Sequence, residues 1–137
     1  GLVTLMVKNV PILYTAKELL TEFGQHCDMQ SCSMLHLPSK SHSRRSVGYA
    51  FITFTDPLAA HLCAYTMSGR AWSVALEQSY CTIAAAHLQG ITANLTSFVL
   101  SNEKKRLQSP PLVFSNGEQI DFVEAVRMHC AESVLRE

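Results

Sequence analysis

The sequence predicts an α+β domain with a four-stranded antiparallel sheet and two helices on one face of it. Three observations support this prediction: segments with alternating apolar and polar residues, helix caps at suitable positions, and the order strand, helix, strand, strand, helix, strand. A length of 137 residues is enough for one compact domain and an appendage. With 47% hydrophobic and 16% charged residues, the composition is typical of a folded chain and excludes a disordered one.

The first strand and the first helix follow from local patterns near the start of the chain. Residues 3–9 alternate between apolar and polar side chains, which is typical of a half-buried strand. Thr15 and Glu18 have the spacing of a capping box, so we expect a helix to begin after Thr15. We expect Gly24 to end this helix, because glycine is the preferred residue just past a helix terminus.

Two further strands and the loop between them follow. Residues 32–37 alternate and are ended by Pro38, which predicts the second strand. Residues 39–46 are polar and basic, without a hydrophobic side chain, and are therefore expected to form a loop. Residues 47–54 give the strongest strand pattern in the chain, with large apolar groups on both faces.

The second helix, the fourth strand and a third helical segment complete the predicted domain. Asp56 followed by Pro57 is a helix start, and Gly69 is expected to end that helix. Residues 81–86 predict the fourth strand, and a helical pattern runs over residues 91–100. Because crossover connections share one handedness, the first two helices should lie on the same face of the sheet and leave the other face bare.

The chain is expected to divide into residues 1–100 and an extension over residues 101–137. The extension holds a short Pro-rich segment at residues 110–114 and an amphipathic, acidic helix from about Gln119 to Arg136. Three roles stay open for that helix. It closes the back of the domain, it lies over the sheet as an autoinhibitory lid, or it contacts a second copy or a protein partner.

Charge is unevenly distributed, although the net charge is zero. Residues 1–106 carry a net charge of +3 and residues 107–137 a net charge of −3. The whole-chain balance gives no support to a polybasic nucleic-acid binder, whereas the distribution describes a mildly basic domain followed by an acidic segment.

Other function classes find little support in the sequence. Five scattered cysteines without a two-residue spacing favour a reducing compartment, nuclear or cytoplasmic. Cys27, Cys32 and His36 lack a fourth ligand at suitable spacing, so no metal or cofactor is predicted. Residues 78–102 contain no charged side chain, but their polar residues exclude a membrane span. No nucleophile, base and orienting group occur together, so we predict no catalytic residues and no enzyme.

The third strand carries the functional signal. Tyr49 and Phe51 lie on its outward side, where a sheet already packed on two helices should be polar. Aromatic rings on a sheet surface stack the bases of single-stranded nucleic acid. The alternative is that the C-terminal helix covers these rings as ordinary core, or that they form a protein-contact surface.

Two strand motifs resemble those of a known family. Val47-Gly48-Tyr49-Ala50-Phe51-Ile52-Thr53-Phe54 is similar to the long RNP octamer of the RNA-recognition motif, and Leu5-Met6-Val7-Lys8-Asn9-Val10 is similar to its short hexamer. More narrowly, the chain resembles the Mei-two-like proteins, the terminal-ear and meiosis regulators. Further matching segments are Tyr14-Thr15, Leu35-His36-Leu37-Pro38, Trp72, Leu88-Gln89-Gly90 and Pro111-Leu112-Val113-Phe114.

This resemblance implies a ferredoxin-like βαββαβ domain that binds short single-stranded RNA in post-transcriptional control of meiosis or differentiation. The chain departs from these patterns in several places. Val47 replaces the usual basic residue of the octamer, and Met6 stands where most RNA-recognition motifs have an aromatic, although the Mei-two-like group resembles this chain in having Met there. His36 replaces a tyrosine of the Mei-two-like group, and the loop before the octamer has Ser, His and Arg instead of acidic and aromatic residues. A reduced platform that stacks about two bases is therefore expected.

Ten residues form the predicted RNA-binding set. Tyr49 and Phe51 are assigned to stacking, Met6 and His36 flank them, and Lys8 and Gln89 select the bases. The remaining four, Arg44, Arg45, Lys104 and Arg106, are assigned to phosphates. A solvated loop explains Arg44 and Arg45 equally well, and Lys104 and Arg106 could instead complement a helix dipole. Trp72 is expected to anchor its loop rather than to stack a base.

Overall fold

The computed structural model describes residues 1–39, 46–75, 77–105 and 109–131, with side chains for all of these except residues 102–105. Its elements are β1 (Thr4–Lys8), α1 (Ala16–His26), β2 (Cys32–His36), β3 (Tyr49–Phe54), α2 (Pro57–Met67), β4 (Thr82–Ala85), α3 (Ile91–Lys105), β5 (Leu112–Ser115), β6 (Glu118–Ile120) and α4 (Phe122–His129). This order confirms the predicted α+β class with its βαββαβ core. The predicted division at residue 100 falls inside α3.

The sheet has six strands in the order β4-β1-β3-β2-β5-β6, and every pairing is antiparallel. The sequence predicted the first four correctly, but β5 and β6 were missed. They form a hairpin beside β2, closed at Asn116-Gly117 with φ angles of 52° and 84°. An Asn-Gly pair between apolar segments favours such a turn, because both residues tolerate positive φ. The helix predicted from Gln119 therefore begins only at Phe122.

The predicted N-terminal caps of α1 and α2 are confirmed, whereas the predicted C-terminus of α1 is wrong. Thr15 and Glu18 form the capping box of α1, and the Asp56 side chain accepts a hydrogen bond from the Leu58 N–H of α2. Gly24 does not end α1, which continues to His26. A glycine ends a helix when the backbone there turns to positive φ, whereas Gly24 keeps the helical conformation.

The main core lies between the sheet and the pair α1 and α2. Alternate residues of the central strands point into it, including Leu5, Val7, Leu35 and Ile52, all fully buried. Trp72 belongs to this core as well, with its ring 5.5 Å from that of Tyr14. It therefore anchors its loop, as expected from the sequence. Across the described ranges, no helix combines the length and the hydropathy needed to cross a bilayer.

The opposite face of the sheet is not bare, contrary to the prediction. A second cluster of buried side chains, Met34, Leu95, Val113 and Ala125, joins β2 and β5 to α3 and α4. The handedness of crossovers fixes the side of α1 and α2 only, because each of these helices connects two strands of the sheet. The chain after β4 has no such constraint, and it folds back over the second face.

A hydrogen-bond network at the end of β4 directs this return. The Gln89 Oε1 atom accepts hydrogen bonds from the backbone N–H groups of Val3 and Thr4, each at 2.8 Å. Its Nε2 atom donates to the carbonyl oxygens of Thr4, at 2.8 Å, and Ala86, at 2.9 Å. The hydroxyl of Thr4 in turn accepts from the Gly90 N–H at 2.9 Å, one residue before α3 begins. The start of α3 is thus tied to the start of β1.

We expect Gln89→Leu to lower the free energy of unfolding by about 2–5 kcal/mol, because four hydrogen bonds are lost and their backbone partners stay partly buried. Urea unfolding followed by circular dichroism measures the change. Gln25→Leu, at an exposed position of α1, is the matched control and should stay within about 0.5 kcal/mol of the parent chain. Equal stabilities of the two variants would show that the network does not hold α3.

Candidate functional site

Strand register arranges the side chains of the second face in rows across β1, β3 and β2. The rows are Thr4, Thr53 and Met34; then Met6, Phe51 and His36; then Lys8 and Tyr49. The first row is buried under α3 and α4, whereas Lys8 and Tyr49 in the third are exposed. Exposure therefore increases along the sheet from the first row to the third.

A cleft of about 400 Å³ opens where the covered part of this face meets the open part. We call it the α3 cleft. Its lining comes from the sheet, from the segment after β4 and from α3, and consists of Met6, His36, Tyr49, Phe51, His87, Leu88, Asn94, Ser97, Phe98 and Ser101. None of the described lining residues carries a carboxylate that would repel a phosphate.

Tyr49 and Phe51 are the aromatic floor of the cleft. Their ring centroids are 5.7 Å apart and their planes differ by 78°, an edge-to-face pair. Tyr49 is 36% exposed and Phe51 is partly exposed, so both rings remain accessible beside α3. Flat, accessible rings of this kind offer stacking surfaces to planar ligands.

His36 lies at the covered end of its row. The Phe98 ring of α3 packs edge-on against it, with centroids 5.1 Å apart, and Phe122 of α4 packs on Phe98 at 5.5 Å. The buried His36 Nε2 atom has no hydrogen-bond partner among the described residues. Burial lowers the pKa of His36 to about 4, because the charged ring would lose its hydration. A ligand can therefore contact only the part of the His36 ring that Phe98 does not cover.

Gln89 is not available for the role predicted from the sequence. Both atoms of its amide group are occupied by the backbone of Val3, Thr4 and Ala86. An amide that already makes four hydrogen bonds has little capacity left for a ligand. We therefore assign Gln89 to the position of α3, and base selection must fall to other groups.

The predicted cationic residues are only partly placed. Lys8 is exposed on the face that carries Tyr49, in the neighbouring strand. Arg44, Arg45 and Arg106 lie outside the described residues. Lys104 belongs to the last turn of α3. The phosphate contacts assigned to these four residues stay predictions.

The acidic segment of the chain packs beside α3. Ala125 and Val126 of α4 are buried, whereas Val123, expected on the apolar side, is 54% exposed. Helix α4 contacts α3 and β5, and none of its described residues lines the cleft. The described part of residues 119–136 therefore packs on the fold beside α3 and does not line the cleft, while contact with a second copy or a protein partner stays a prediction. Residues 132–136 lie outside that described part.

The cysteine and histidine side chains considered as metal ligands do not lie on one side of the sheet. Cys32 faces the main core, while His36, four residues later, faces Phe98 on the other side of the sheet. Within the described ranges, no three His, Cys, Asp or Glu side chains lie close enough to share a metal ion.

Sequence reasoning missed the wall of the cleft. Asn94, Ser97, Phe98 and Ser101 follow the helical spacing i, i+3, i+4, i+7, so one stripe of α3 faces the cleft. The periodicity of residues 91–100 signals the helix. It does not signal which surface the helix covers, because that depends on the network around Gln89 and Thr4.

A family model described as RNA recognition motif 2 matches residues 2–99. The chain is 34% identical over 114 residues to Protein MEI2-like 1 of Arabidopsis thaliana, with 81% of this chain and 12% of the relative covered. It is 29% identical over 131 residues to the terminal ear1 homolog of Oryza sativa subsp. indica, covering 82% and 19%. The resemblance to Mei-two-like proteins is thus confirmed, and the chain spans less than a fifth of these relatives.

Solved structures show the same fold. The Rna15 RRM with bound RNA (GU) superposes with a TM-score of 0.55 at 17% identity, covering 74% of this chain and 96% of that one. The Sex-lethal RNA recognition domains 1 and 2 from Drosophila melanogaster give a TM-score of 0.52 at 19% identity, covering 63% and 50%. At these identities the likeness concerns the fold alone.

The lowered pKa of His36 makes the stability depend on pH. Above about pH 6.5 the ring is neutral in the folded and the unfolded chain. Between about pH 6.5 and pH 4 only the unfolded chain takes up the proton, so the free energy of unfolding should fall by roughly 3 kcal/mol as the pH is lowered. Urea unfolding at half-unit pH steps measures this loss.

The His36→Phe variant should lose this part of the pH dependence, because the ring can still pack on Phe98 but no longer binds a proton. His26→Phe, at an exposed position of α1, is the control and should keep it. An unchanged pH profile in His36→Phe would contradict the assignment.

Proposed function

The chain belongs to the RNA recognition motif 2 family, and from this premise we propose that it binds short single-stranded RNA in the α3 cleft. The observation that carries the proposal is the pair Tyr49 and Phe51, which stays accessible beside the part of the second face that α3 and α4 cover. Stacking on aromatic side chains contributes about 1–3 kcal/mol per base, so two rings supply roughly 2–6 kcal/mol.

Electrostatic attraction adds to the stacking in this proposal. Lys8 lies directly opposite Tyr49 in the neighbouring strand, where a phosphate next to a stacked base would pass. Arg44 and Arg45 belong to the connection between Ser39 and Ser46, which pair with each other. Together with Lys104 and Arg106, these residues provide three or four phosphate contacts. That number supports moderate binding only, and the stacking supplies the larger part.

The biological role is also a proposal. MEI2-like proteins and a terminal ear1 homolog are the relatives that this chain resembles, and we infer a role in post-transcriptional control of meiosis or differentiation. A nuclear or cytoplasmic location accords with the five free cysteines. We propose a binding function rather than an enzymatic one.

A protein-interaction module is the second candidate function. The observation in its favour is that α3 and α4 already cover β2 and β5 with apolar side chains, which shows that this face accepts protein. In that case a partner would occupy the exposed rings in place of RNA.

The double variant Tyr49→Ala/Phe51→Ala should bind RNA at least about thirtyfold more weakly than the parent chain, because two stacking surfaces are lost. Fluorescence anisotropy with a labelled pool of random heptaribonucleotides measures the affinity. Tyr65→Ala is the matched control, since Tyr65 is 87% exposed on α2, away from the cleft, and its removal should leave the affinity unchanged.

Two outcomes would contradict the stacking proposal. The double variant could retain the affinity of the parent chain while its circular dichroism spectrum confirms folding. Alternatively, the parent chain could bind no RNA from the pool, which would favour the protein-interaction module.

The salt dependence of binding tests the basic residues. With three or four phosphate contacts, the logarithm of the binding constant should fall with the logarithm of the salt concentration with a slope of about −2 to −3. Arg44→Ala/Arg45→Ala should make the slope shallower by about 1.4, since each contact to a single strand contributes about 0.7. Lys17→Ala, at an exposed position of α1, is the control and should leave the slope unchanged. An equal slope in the arginine variant would place Arg44 and Arg45 in a solvated loop.

A further inference from the structure

We infer that α3 selects the base in the cleft, with the hydroxyl groups of Ser97 and Ser101 hydrogen-bonding the edge of a ribonucleotide stacked on the aromatic floor. This inference rests on the proposed RNA binding and adds the residues that distinguish one base from another. In this inference, the two serines take the base-selecting role that the sequence predicted for Gln89.

The wall formed by α3 is fixed in place before a ligand binds. Leu95 is fully buried, and Phe98 packs between the rings of His36 and Phe122. The Asn94 side chain ties the first turn to the carbonyl oxygens of Gly90 and Leu88, at 2.7 Å and 3.1 Å. Hydroxyl groups on such a wall lose little freedom on binding, which favours selective contacts.

Ser97 and Ser101 carry the hydroxyl groups on this wall. The amide nitrogen of Asn94 is occupied by the contacts just described and by the Thr4 hydroxyl at 3.4 Å. Hydrogen bonds among the described residues of α3 engage Asn94 and Thr96, but neither Ser97 nor Ser101. A serine hydroxyl donates one hydrogen bond and accepts up to two, so it can pair with either kind of group on a base edge.

The geometry of stacking directs a base edge toward this wall. A base stacked on Phe51 lies parallel to the ring, and its donors and acceptors therefore point sideways, in the plane of the base. On one side of Phe51 is Met6, which has no strong hydrogen-bonding group. On the other side is His36, with Phe98 of α3 packed on it. On this second side Phe98 covers part of the His36 ring, and α3 contributes the hydroxyl groups of Ser97 and Ser101 to the cleft lining.

Selection from a random pool of heptaribonucleotides, followed by sequencing of the bound fraction, tests the inference. The parent chain is compared with Ser97→Ala/Ser101→Ala and with Thr92→Ala. Thr92 is an exposed residue of α3 that does not line the cleft, so its variant controls for loss of a hydroxyl from the same helix. Circular dichroism checks that each variant folds.

At one position of the selected motif, we expect the preference for the best base over the others to fall by about threefold to tenfold in the serine variant. The remaining positions and the motif of Thr92→Ala should not change. If the serine variant selects the parent motif with equal strength, α3 does not read the base, although RNA binding stands. If the parent chain selects no motif because it retains no RNA, the proposed function fails and this inference fails with it.

Discussion

The hydrogen bonds around Gln89 and Thr4 are the constraint on which the second face of the sheet depends. Four backbone groups of β1 and the β4 end converge on one side-chain amide, and the Thr4 hydroxyl receives the Gly90 N–H next to α3. These groups are partly buried. The free-energy cost of leaving one of them without a hydrogen-bond partner is therefore larger than the net free energy that its hydrogen bond contributes. The chain must therefore leave β4 in a single direction, across β1 toward β2. This direction determines which residues of the second face α3 covers and which it leaves accessible.

The same constraint divides one sheet face between folding and ligand binding. Leu95 packs with Met34 and Phe98 packs on His36, both on β2, and α4 supports α3 from outside through Phe122. Tyr49 and Phe51 on β3 stay accessible. Fewer bases can stack there than on an uncovered sheet, yet the helix brings polar groups to the side of the stack. Compared with an uncovered sheet, this face therefore offers less area for stacking, which does not discriminate between bases. In the inference above, it offers in addition the hydroxyl groups of α3, which can discriminate between them.

How far the sequence predicts this arrangement depends on the range of the interactions. Strand alternation and the caps at Thr15 and Asp56 are local, and they predicted the core elements correctly and placed Tyr49 and Phe51 on the second face of the sheet. The β5–β6 hairpin also had a local signal in Asn116-Gly117. The covering by α3 had none, because Thr4 and Gln89 are 85 positions apart and neither is unusual by itself. For the same reason the sequence assigned Gln89 to the ligand, since a polar residue after the last strand gives no sign that its partners lie in β1.

The position of Glu118 in the acidic extension bears on the RNA binding proposed for this chain of zero net charge. Glu118 lies in β6, three strands from β3, and adjacent strands are about 4.8 Å apart, so about 14 Å separate it from the aromatic strand. At physiological ionic strength the screening length is about 8 Å, so the field of Glu118 is largely screened before it reaches the cleft. Lys8, by contrast, belongs to the strand directly beside Tyr49. In the proposed complex, a phosphate beside Tyr49 would therefore interact with Lys8 more strongly than with Glu118, which β2 and β5 separate from β3.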